Sequence, residues 1–430
     1  MKFKKIMLSF LLSISVISGC ATKPKEDIKD IASNFVQELA EEKIEGMKER
    51  FSFDSAMSKV IDEGILTEMI KQNLTPYGKL VEIKDVSEEN NLVKMKAVFE
   101  EISLIANVSF NGKLEIQGVS VIPEAPEKVM PEGVEEKEVV LKINDTQQLG
   151  GTLTLPSGKE NVPVVILVQG SGASDRDETI VPNTPFKDIA WQLAQRGIAS
   201  YRYDKRSFVY GSDFQTNTTY TVKEETIEDA VNAVTLMSKQ TGIDQSKIYV
   251  LGHSLGGYLM PRIAQQTDCA GYILAAGPVT SLDDLILEQV DYLSNLDGTV
   301  SIEEKQAMTF YEMEVDKIKN LDGLAEDTPV LGSYKAYWED LANYQPLEVA
   351  KLSNQKFLVL QGEEDYQVPM REFNQWKEAF GTNPNWTFKS YSGLTHLFMP
   401  GSLANGSADY LVPSEVDSRM SDDIAAFILK

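Results

Sequence analysis

The sequence has little cysteine and little histidine, and both shortages narrow its chemistry. Its 430 residues include two cysteines, Cys20 and Cys269, and two histidines, His253 and His396. Because Cys20 directly follows a signal-like N-terminal segment, Cys269 is a single spare thiol with no partner for an intramolecular disulfide, and a cysteine-based metal site is excluded. We expect Cys269, which precedes an apolar stretch, to be buried as a small hydrophobic residue. Any reaction that needs an imidazole base has two candidates.

Basic residues are also scarce relative to acidic ones. The chain has 41 lysines and arginines against 65 aspartates and glutamates, a net charge of −24. A polyphosphate would be repelled, and no basic run offsets this charge, so nucleic acid is excluded as a partner. A hydrophobic content of 42% is ordinary for a globular protein. The length predicts two or three domains.

The N-terminus has the pattern of an export signal. Three lysines among the first five residues precede an apolar run, Ile6 to Ile17, which ends in Ile17-Ser18-Gly19-Cys20. These last four residues resemble a bacterial lipobox. The resemblance implies a signal peptide over 1–19, a diacylglycerol on Cys20 and a tether over 20–27, with the protein held by lipid at the membrane surface of the bacterial cell envelope. A plain secretory signal or an uncleaved anchor remains the alternative.

Residues 28–122 are predicted to form a small α+β domain. An amphipathic helix from Ile28 to about Arg50 is followed by four strand-like segments, and Asn111-Gly112 is a strong hairpin turn. The pattern resembles a nuclear-transport-factor-like accessory domain found ahead of some exported bacterial hydrolases. The resemblance implies an accessory or oligomerisation role with no catalytic part, and it identifies no protein partner. Prolines mark a linker over 123–136.

The second half of the chain is organised around Gly252-His253-Ser254-Leu255-Gly256. A buried strand, Lys247–Leu251, precedes these five residues, and a helix starts directly after Ser254. The spacing predicts a nucleophile elbow, in which a tight strand-to-helix turn holds a serine in a strained backbone conformation. Side chains at the two glycines would collide with the neighbouring strand and helix.

Around this motif, residues 137–430 read as an antiparallel start followed by alternating strands and helices. Fully apolar strands separated by helices predict an α/β fold with a parallel sheet covered on both faces. Together with the elbow, this order resembles the α/β-hydrolase superfamily. A long helical insertion, 277–352, has no place in the sheet. We expect it to form a cap over the strand ends, and a helical bundle at the side of the core is the alternative.

A serine nucleophile needs a base and an acid that orients the base. His253 is adjacent to Ser254 and points away from it, which leaves His396, in the loop after the last predicted strand. The loop after the preceding strand supplies Glu363, Glu364 and Asp365. In similar hydrolases the acid is the Asp of Gly-x-x-Asp-x-x-Val-Pro, which implies Asp365, with the two glutamates as alternatives.

Stabilisation of a negative oxygen needs two backbone N–H groups. One is predicted from Leu255, the residue after the nucleophile. The other should come from the loop after the third strand, where Ser171 is the first candidate and Gly172 the next. Family members commonly carry histidine at the position of Gln169, and this difference leaves the backbone donors of the loop intact.

Two charged segments near these loops also resemble those of bacterial esterases. They are Ser174-Asp175-Arg176-Asp177-Glu178 and Arg202-Tyr203-Asp204-Lys205-Arg206, which contain the triplets Asp-Arg-Asp and Asp-Lys-Arg. We expect their charges to pair with one another and set the geometry of the loops, without contacting the substrate.

From Gly150 to Lys430, the chain is most similar to exported carboxylesterases. The resemblance implies hydrolysis of a small acyl ester, short or medium in chain length, through an acyl-serine intermediate and without a metal or organic cofactor. The same three residues, Ser254, Asp365 and His396, would also serve other enzymes. The alternative activities are a serine peptidase of the prolyl oligopeptidase kind, a thioesterase and an acyltransferase. A surface lipoprotein that binds a partner without catalysis is a further alternative.

Overall fold

The computed structural model describes residues 27–62, 66–67, 70, 74–89, 91–124 and 127–429. The predicted signal peptide, Cys20 and the tether up to residue 26 lie outside these residues. The chain divides into two compact units, with the boundary between Glu127 and Lys128. Within the described ranges, no helix has both the length and the apolar character needed to cross a membrane.

The N-terminal unit combines short helices with an antiparallel meander. Its strands are β1 (Leu80–Glu89), β2 (Leu92–Phe99), β3 (Ser103–Phe110) and β4 (Ile116–Pro123), paired in chain order. Its helices are Ile28–Ala40, Met47–Arg50 and Ser55–Asp62, with a 3₁₀ turn at Thr75–Tyr77. Alternate residues of β2 and β3 are buried, so one face of the sheet forms the core of the unit. The predicted small N-terminal domain with a sheet is confirmed.

The C-terminal unit is built on an eight-stranded sheet in the order β14-β13-β12-β11-β9-β10-β8-β5. Strands β9 to β14 are parallel, whereas β8 is antiparallel to both of its neighbours. These strands are β5 (Val134–Glu138), β8 (Gly151–Pro156), β9 (Val162–Val168), β10 (Ala199–Tyr203), β11 (Ile243–His253), β12 (Gly271–Ala275), β13 (Phe357–Gly362) and β14 (Trp386–Tyr391). A two-stranded ribbon, β6 (Leu141–Lys142) and β7 (Gln148–Leu149), lies beside it. The predicted α/β-hydrolase sheet is confirmed.

Strand β5 corrects the predicted linker. It begins at Val134, inside the segment 123–136, and it pairs with β8 at the edge of the sheet. The C-terminal unit begins at Lys128, ahead of residue 137. The edge strand has four exposed residues after a buried Val134, so it lacks the apolar alternation by which a strand is found in a sequence.

Helices cover both faces of the sheet. Alternate residues of β9 belong to two different apolar clusters: Val164 and Ile166 to one, Val165 and Leu167 to the other. This burial on both sides explains why the central strands are uninterrupted apolar runs. The covering helices are Pro185–Gln195, Arg206–Val209, Gly211–Thr216, Glu228–Met237, Leu255–Tyr258, Met260–Ala264, Met370–Phe380 and Ser418–Leu429; a π-helical turn, Lys223–Ile227, precedes the fourth, and a 3₁₀ segment spans Leu403–Leu411.

The insertion between β12 and β13 is helical. It contains the helices Leu282–Asn295, Ile302–Lys319, Lys335–Ala342 and Pro346–Ala350. The ring of Tyr292 stacks on Tyr366, with centroids 5.3 Å apart, and the Tyr344 hydroxyl donates a hydrogen bond to the carbonyl oxygen of Tyr258 at 2.8 Å. Tyr366 follows β13, so the first helix of the insertion lies at the carboxyl end of that strand, whereas Arg262 pairs with Asp340 and so holds a later helix beside Met260–Ala264.

Candidate active site

Ser254 occupies a strained turn between β11 and the helix Leu255–Tyr258. Its backbone has φ 52° and ψ −115°, a conformation that is rare for a residue with a side chain. Two backbone hydrogen bonds hold the turn: the Ser254 N–H donates to the Ala275 carbonyl of β12, and the Tyr258 N–H donates to the Ser254 carbonyl, each at 2.9 Å. The half-buried serine is therefore presented at the carboxyl edge of the sheet, as a nucleophile elbow requires.

The glycines of the motif allow close backbone packing. A Cβ on Gly256 would lie 2.6 Å from the carbonyl oxygen of Val168 and 2.9 Å from that of Gln169. A Cβ on Gly252 would overlap the backbone of Gly256. The helix after Ser254 can approach the end of β9 only because both positions lack a side chain.

His396 and Asp365 form a buried pair at the same edge of the sheet. His396 Nδ1 lies 2.7 Å from Asp365 Oδ2, and both side chains are buried. The other oxygen, Oδ1, accepts the N–H groups of Gln367 and Val368 at 2.9 Å each, and Gln361 Nε2 donates to Oδ2 at 2.9 Å. A carboxylate so fixed keeps the proton of a neutral His396 on Nδ1 and leaves Nε2 as a base.

The two glutamates that precede Asp365 have other contacts. Glu363 accepts a hydrogen bond from the Ser390 hydroxyl at 2.8 Å, and Glu364 accepts one from the Leu403 N–H at 3.0 Å. In the described part of the chain, neither glutamate forms a hydrogen bond or an ion pair with His396. The geometry therefore favours Asp365 over both alternatives as the acid.

The loops that carry Ser254 and His396 meet at this edge. His253 Nε2 lies 2.9 Å from the carbonyl oxygen of His396, and the two imidazole rings have centroids 4.6 Å apart. On the other side of the serine, a Cβ on Gly170 would lie 3.0 Å from Ser254 Cβ. Ser254 Oγ makes no hydrogen bond to any described residue. Such bonds often form only when substrate is bound.

The predicted oxyanion donors are available. Among the residues that the structure describes, the N–H groups of Ser171 and Leu255 donate to no protein acceptor. The N–H of the neighbouring Gly170 is occupied, because it donates to Glu178 Oε1 at 2.7 Å. The geometry is compatible with the predicted pair and excludes Gly170 N–H as a donor.

A second histidine–carboxylate pair was not predicted from the sequence. His253 Nδ1 lies 3.0 Å from Glu178 Oε1, and its Nε2 faces the His396 carbonyl. The sequence excludes His253 as the base and assigns it no other role, whereas in the structure its side chain joins three segments: the loop after β9 that carries Ser171 (the oxyanion loop), the elbow and the loop of His396. Glu178 is far away in sequence and lies in a turn with φ 51°. No local pattern pairs it with His253.

The surroundings of His253 favour its charged form. Burial alone lowers the pKa of this histidine, but the Glu178 carboxylate, through its charge and its hydrogen bond, and then the His396 carbonyl hold the pKa above the ordinary value of 6.5. Both ring nitrogens face acceptors, so the imidazolium can donate at both. The Glu178–His253 contact is then a buried ion pair that stabilises the site below the raised pKa.

Other side chains also brace the loop after β9. Gln169, in the position where histidine is common, donates from Nε2 to the carbonyl oxygen of Tyr203 and to that of Asp175. Arg176 pairs with Asp204, and Arg202 pairs with Asp177, so charges of the two segments contact one another. Lys205 does not follow this prediction, because its partner, Glu225, lies outside both segments. Within the described ranges, no group of three histidine, cysteine or acidic side chains could hold a metal ion.

Comparisons with known proteins agree with this architecture. Residues 186–332 match the model of the prolyl oligopeptidase family, and this segment contains Ser254 but ends before Asp365 and His396. Esterase EstD of Thermotoga maritima is 32% identical to the chain over 404 residues, which are 92% of this chain and 94% of that protein.

Solved structures of esterases show a similar fold. Est1E from Butyrivibrio proteoclasticus is 14% identical and aligns over 68% of this chain and 99% of its own, with a TM-score of 0.43. An esterase from Pyrococcus furiosus is also 14% identical and aligns over 72% of this chain and 96% of its own, with a TM-score of 0.44. Neither likeness bears on the reaction.

Proposed function

Because the chain belongs to the α/β-hydrolase superfamily, in the family of esterase EstD, we propose that it is a serine carboxylesterase. Its substrates are short or medium acyl esters, which it hydrolyses through an acyl-serine intermediate. The observation that carries the proposal is the buried His396–Asp365 pair at the sheet edge where Ser254 stands in its strained turn. The esterase activity of the relative supports the same reaction class.

In the first half of the reaction, His396 Nε2 takes the hydroxyl proton of Ser254 as Oγ bonds to the carbonyl carbon of the ester. The carbonyl oxygen becomes negative and accepts the N–H groups of Ser171 and Leu255. The bond to the alcohol oxygen then breaks, and the proton on His396 passes to the leaving alcohol. In the second half, His396 removes a proton from water as the water oxygen bonds to the acyl carbon. The bond to Ser254 Oγ then breaks, and the proton on His396 passes to Oγ, which restores the serine hydroxyl.

The test is hydrolysis of p-nitrophenyl acyl esters of increasing chain length by the purified protein, beside S254A and H396A. We expect both variants to lose activity to a similar extent, because the members of a triad act as a unit. A fluorophosphonate should label Ser254 in the wild type. The proposal fails if the wild type hydrolyses no ester faster than S254A and no label is found on Ser254.

A serine peptidase is the second candidate, and the match to the prolyl oligopeptidase family favours it. The same side chains could act on an amide, a thioester or an acyl acceptor other than water. An ester, an anilide and a thioester of one acyl group, compared by kcat/KM, separate these activities. A kcat/KM for the anilide equal to that for the ester would favour the peptidase.

We also propose that the protein is exported and held at the membrane surface through a lipid on Cys20, with the N-terminal unit as a non-catalytic accessory domain. The support is the sequence of the leader, since Cys20 lies outside the described residues. Mass spectrometry of the mature N-terminus tests the anchor. A diacylglyceryl-modified Cys20 is expected, and C20A should move the protein from the membrane fraction to the soluble fraction. A wild-type protein without the lipid contradicts the proposal.

A further inference from the structure

Lys205, directly after β10, is a buried cation that contacts the oxyanion loop. Its side chain is 2% exposed. Nζ donates hydrogen bonds to the carbonyl oxygen of Gly170 at 2.6 Å and to Glu225 Oε1 at 2.7 Å. A charged group so deeply buried is costly unless it is paired and hydrogen-bonded, and here both conditions hold.

The oxygen that Lys205 contacts belongs to the peptide group that supplies the predicted oxyanion donor. The carbonyl of Gly170 and the N–H of Ser171 are two ends of one planar trans unit, so they point in opposite directions. An ammonium bonded to the oxygen fixes the rotation of this plane. It also draws electron density toward the oxygen, which strengthens the N–H as a donor on the far side.

Gly170 is held on its other side by a group of opposite charge. Its N–H donates to the Glu178 carboxylate at 2.7 Å, while its carbonyl accepts from Lys205. Without a side chain, Gly170 packs against Ser254, where a Cβ would approach Ser254 Cβ to 3.0 Å. Glycine backbones are freer than those of other residues, so the bonds from Glu178 and Lys205 restrict a conformation that Gly170 itself does not fix.

Lys205 is itself fixed by Glu225, and a side chain of the insertion holds Glu225 in turn. Glu225 lies in the π-helical turn Lys223–Ile227, and its second oxygen accepts a hydrogen bond from the Tyr337 hydroxyl at 2.8 Å. Both carboxylate oxygens therefore have partners, and the chain of contacts runs from the insertion to the loop beside Ser254.

We propose that Lys205 is a positioning residue for the oxyanion hole: through the Gly170–Ser171 peptide, its ammonium aims and strengthens the Ser171 N–H. The inference rests on the proposed esterase function. It requires that removal of Lys205 lowers kcat while leaving KM nearly unchanged, since the negative oxygen exists only in the transition state.

The test compares two variants that both abolish the buried ion pair. E225Q keeps the lysine and its bond to Gly170, whereas K205M/E225Q removes that bond without leaving an unpaired charge. We expect the double variant to lose at least about tenfold in kcat, below the effect of deleting a donor outright. We expect E225Q to unfold more easily, because its lysine is left without a carboxylate, but the kcat of its folded fraction should stay within about threefold of the wild type, since the bond from Lys205 to Gly170 remains.

R206M/D229N is the matched control. Arg206 directly follows Lys205 in the sequence and forms a buried ion pair with Asp229. The hydrogen bonds of this pair do not include the oxyanion loop. The kcat of this variant should remain within about twofold of the wild type if loss of a buried pair is harmless by itself. An equal fall in kcat in the control would overturn the inference, because it would trace the effect to general loosening.

A second readout reports the hole directly. Phosphonylation of Ser254 by a fluorophosphonate places a negative oxygen in the hole, so its rate should fall in K205M/E225Q by the same factor as kcat/KM. If that variant does not fold, K205Q/E225Q serves instead and should show a smaller fall in the same direction. An unchanged kcat in the folded variant refutes the role of Lys205. A wild type that neither hydrolyses esters nor reacts with the reagent refutes the proposed function itself.

Discussion

The strained backbone of Ser254 makes a prediction about stability that is opposite in sign to the usual rule for glycine. S254G and S254A both remove the hydroxyl and should both be inactive. They differ in what they do to the backbone, which stays at φ 52° and ψ −115° because the flanking glycines and strands fix the turn. Alanine retains the strain, and glycine relieves it.

The expected difference follows from two opposing terms. A residue with a side chain in such a region costs of order 1–3 kcal/mol. Glycine costs roughly 0.5–1 kcal/mol through the greater freedom of the unfolded chain. We therefore expect S254G to be more stable than S254A by about 1 kcal/mol, equivalent to roughly 2 °C in Tm for a unit of this size.

Urea unfolding followed by tryptophan fluorescence measures this difference in the C-terminal unit alone, since that unit holds all the tryptophans. They are Trp191, Trp338, Trp376 and Trp386. Ser421 provides the control: it is buried in the helix Ser418–Leu429, and its hydroxyl donates to Gln192. There S421G should be less stable than S421A by about 1 kcal/mol, the ordinary helical cost of glycine. If S254G is also less stable than S254A, the turn stores no strain and the reasoning is wrong.

Three further predictions concern the neighbours of Ser254. D365N should lower kcat by about 10⁴ by disturbing the tautomer of His396, while E363Q and E364Q stay within about threefold, and equal losses in ester assays would contradict the choice of acid. E178Q should lose the most stability, relative to the wild type, at low pH. In the wild type, the ion pair between Glu178 and protonated His253 contributes its full stability below pH 6.5, and this contribution disappears as the pH rises through the raised pKa of His253. Urea unfolding at pH 5.5 and 8.5 checks it, and a pH-independent difference would count against the ion pair. G256A should lower Tm by several degrees, because its Cβ meets the Val168 carbonyl at 2.6 Å, while G211A, which meets no atom within 4 Å, should not.

The sequence was sufficient for the features that depend on local pattern. The elbow is readable because a tight turn requires small residues on both sides of Ser254, and the parallel sheet is readable because strands buried on both faces are continuous apolar runs. The choice of His396 followed from scarcity, as the only other histidine adjoins the serine. The choice of Asp365 among three acids came from resemblance, and the structure supports it through contacts that the three residues do not share.

Other features depend on contacts between distant parts of the chain. Glu178 reaches His253 through a positive-φ turn, and Lys205 reaches Glu225 across a π-helical turn; no periodicity marks either. The edge strand β5 was hidden by its charges, because the alternation that marks a strand is missing where both faces are largely exposed. Three-dimensional packing decides such features, and it leaves no trace in short windows of sequence.

The charges on β5 have a consequence for molecules held close together. An exposed edge strand offers unpaired N–H and carbonyl groups to a neighbouring molecule. Proteins crowded on one surface could therefore pair through such strands. After Val134, this strand carries Glu135, Glu136, Lys137 and Glu138, all exposed, in a chain with an excess of acidic residues. Charged side chains along this edge oppose the pairing of strands from different molecules, because pairing would remove them from water, so the fold can be present at high local density without aggregating through its sheet.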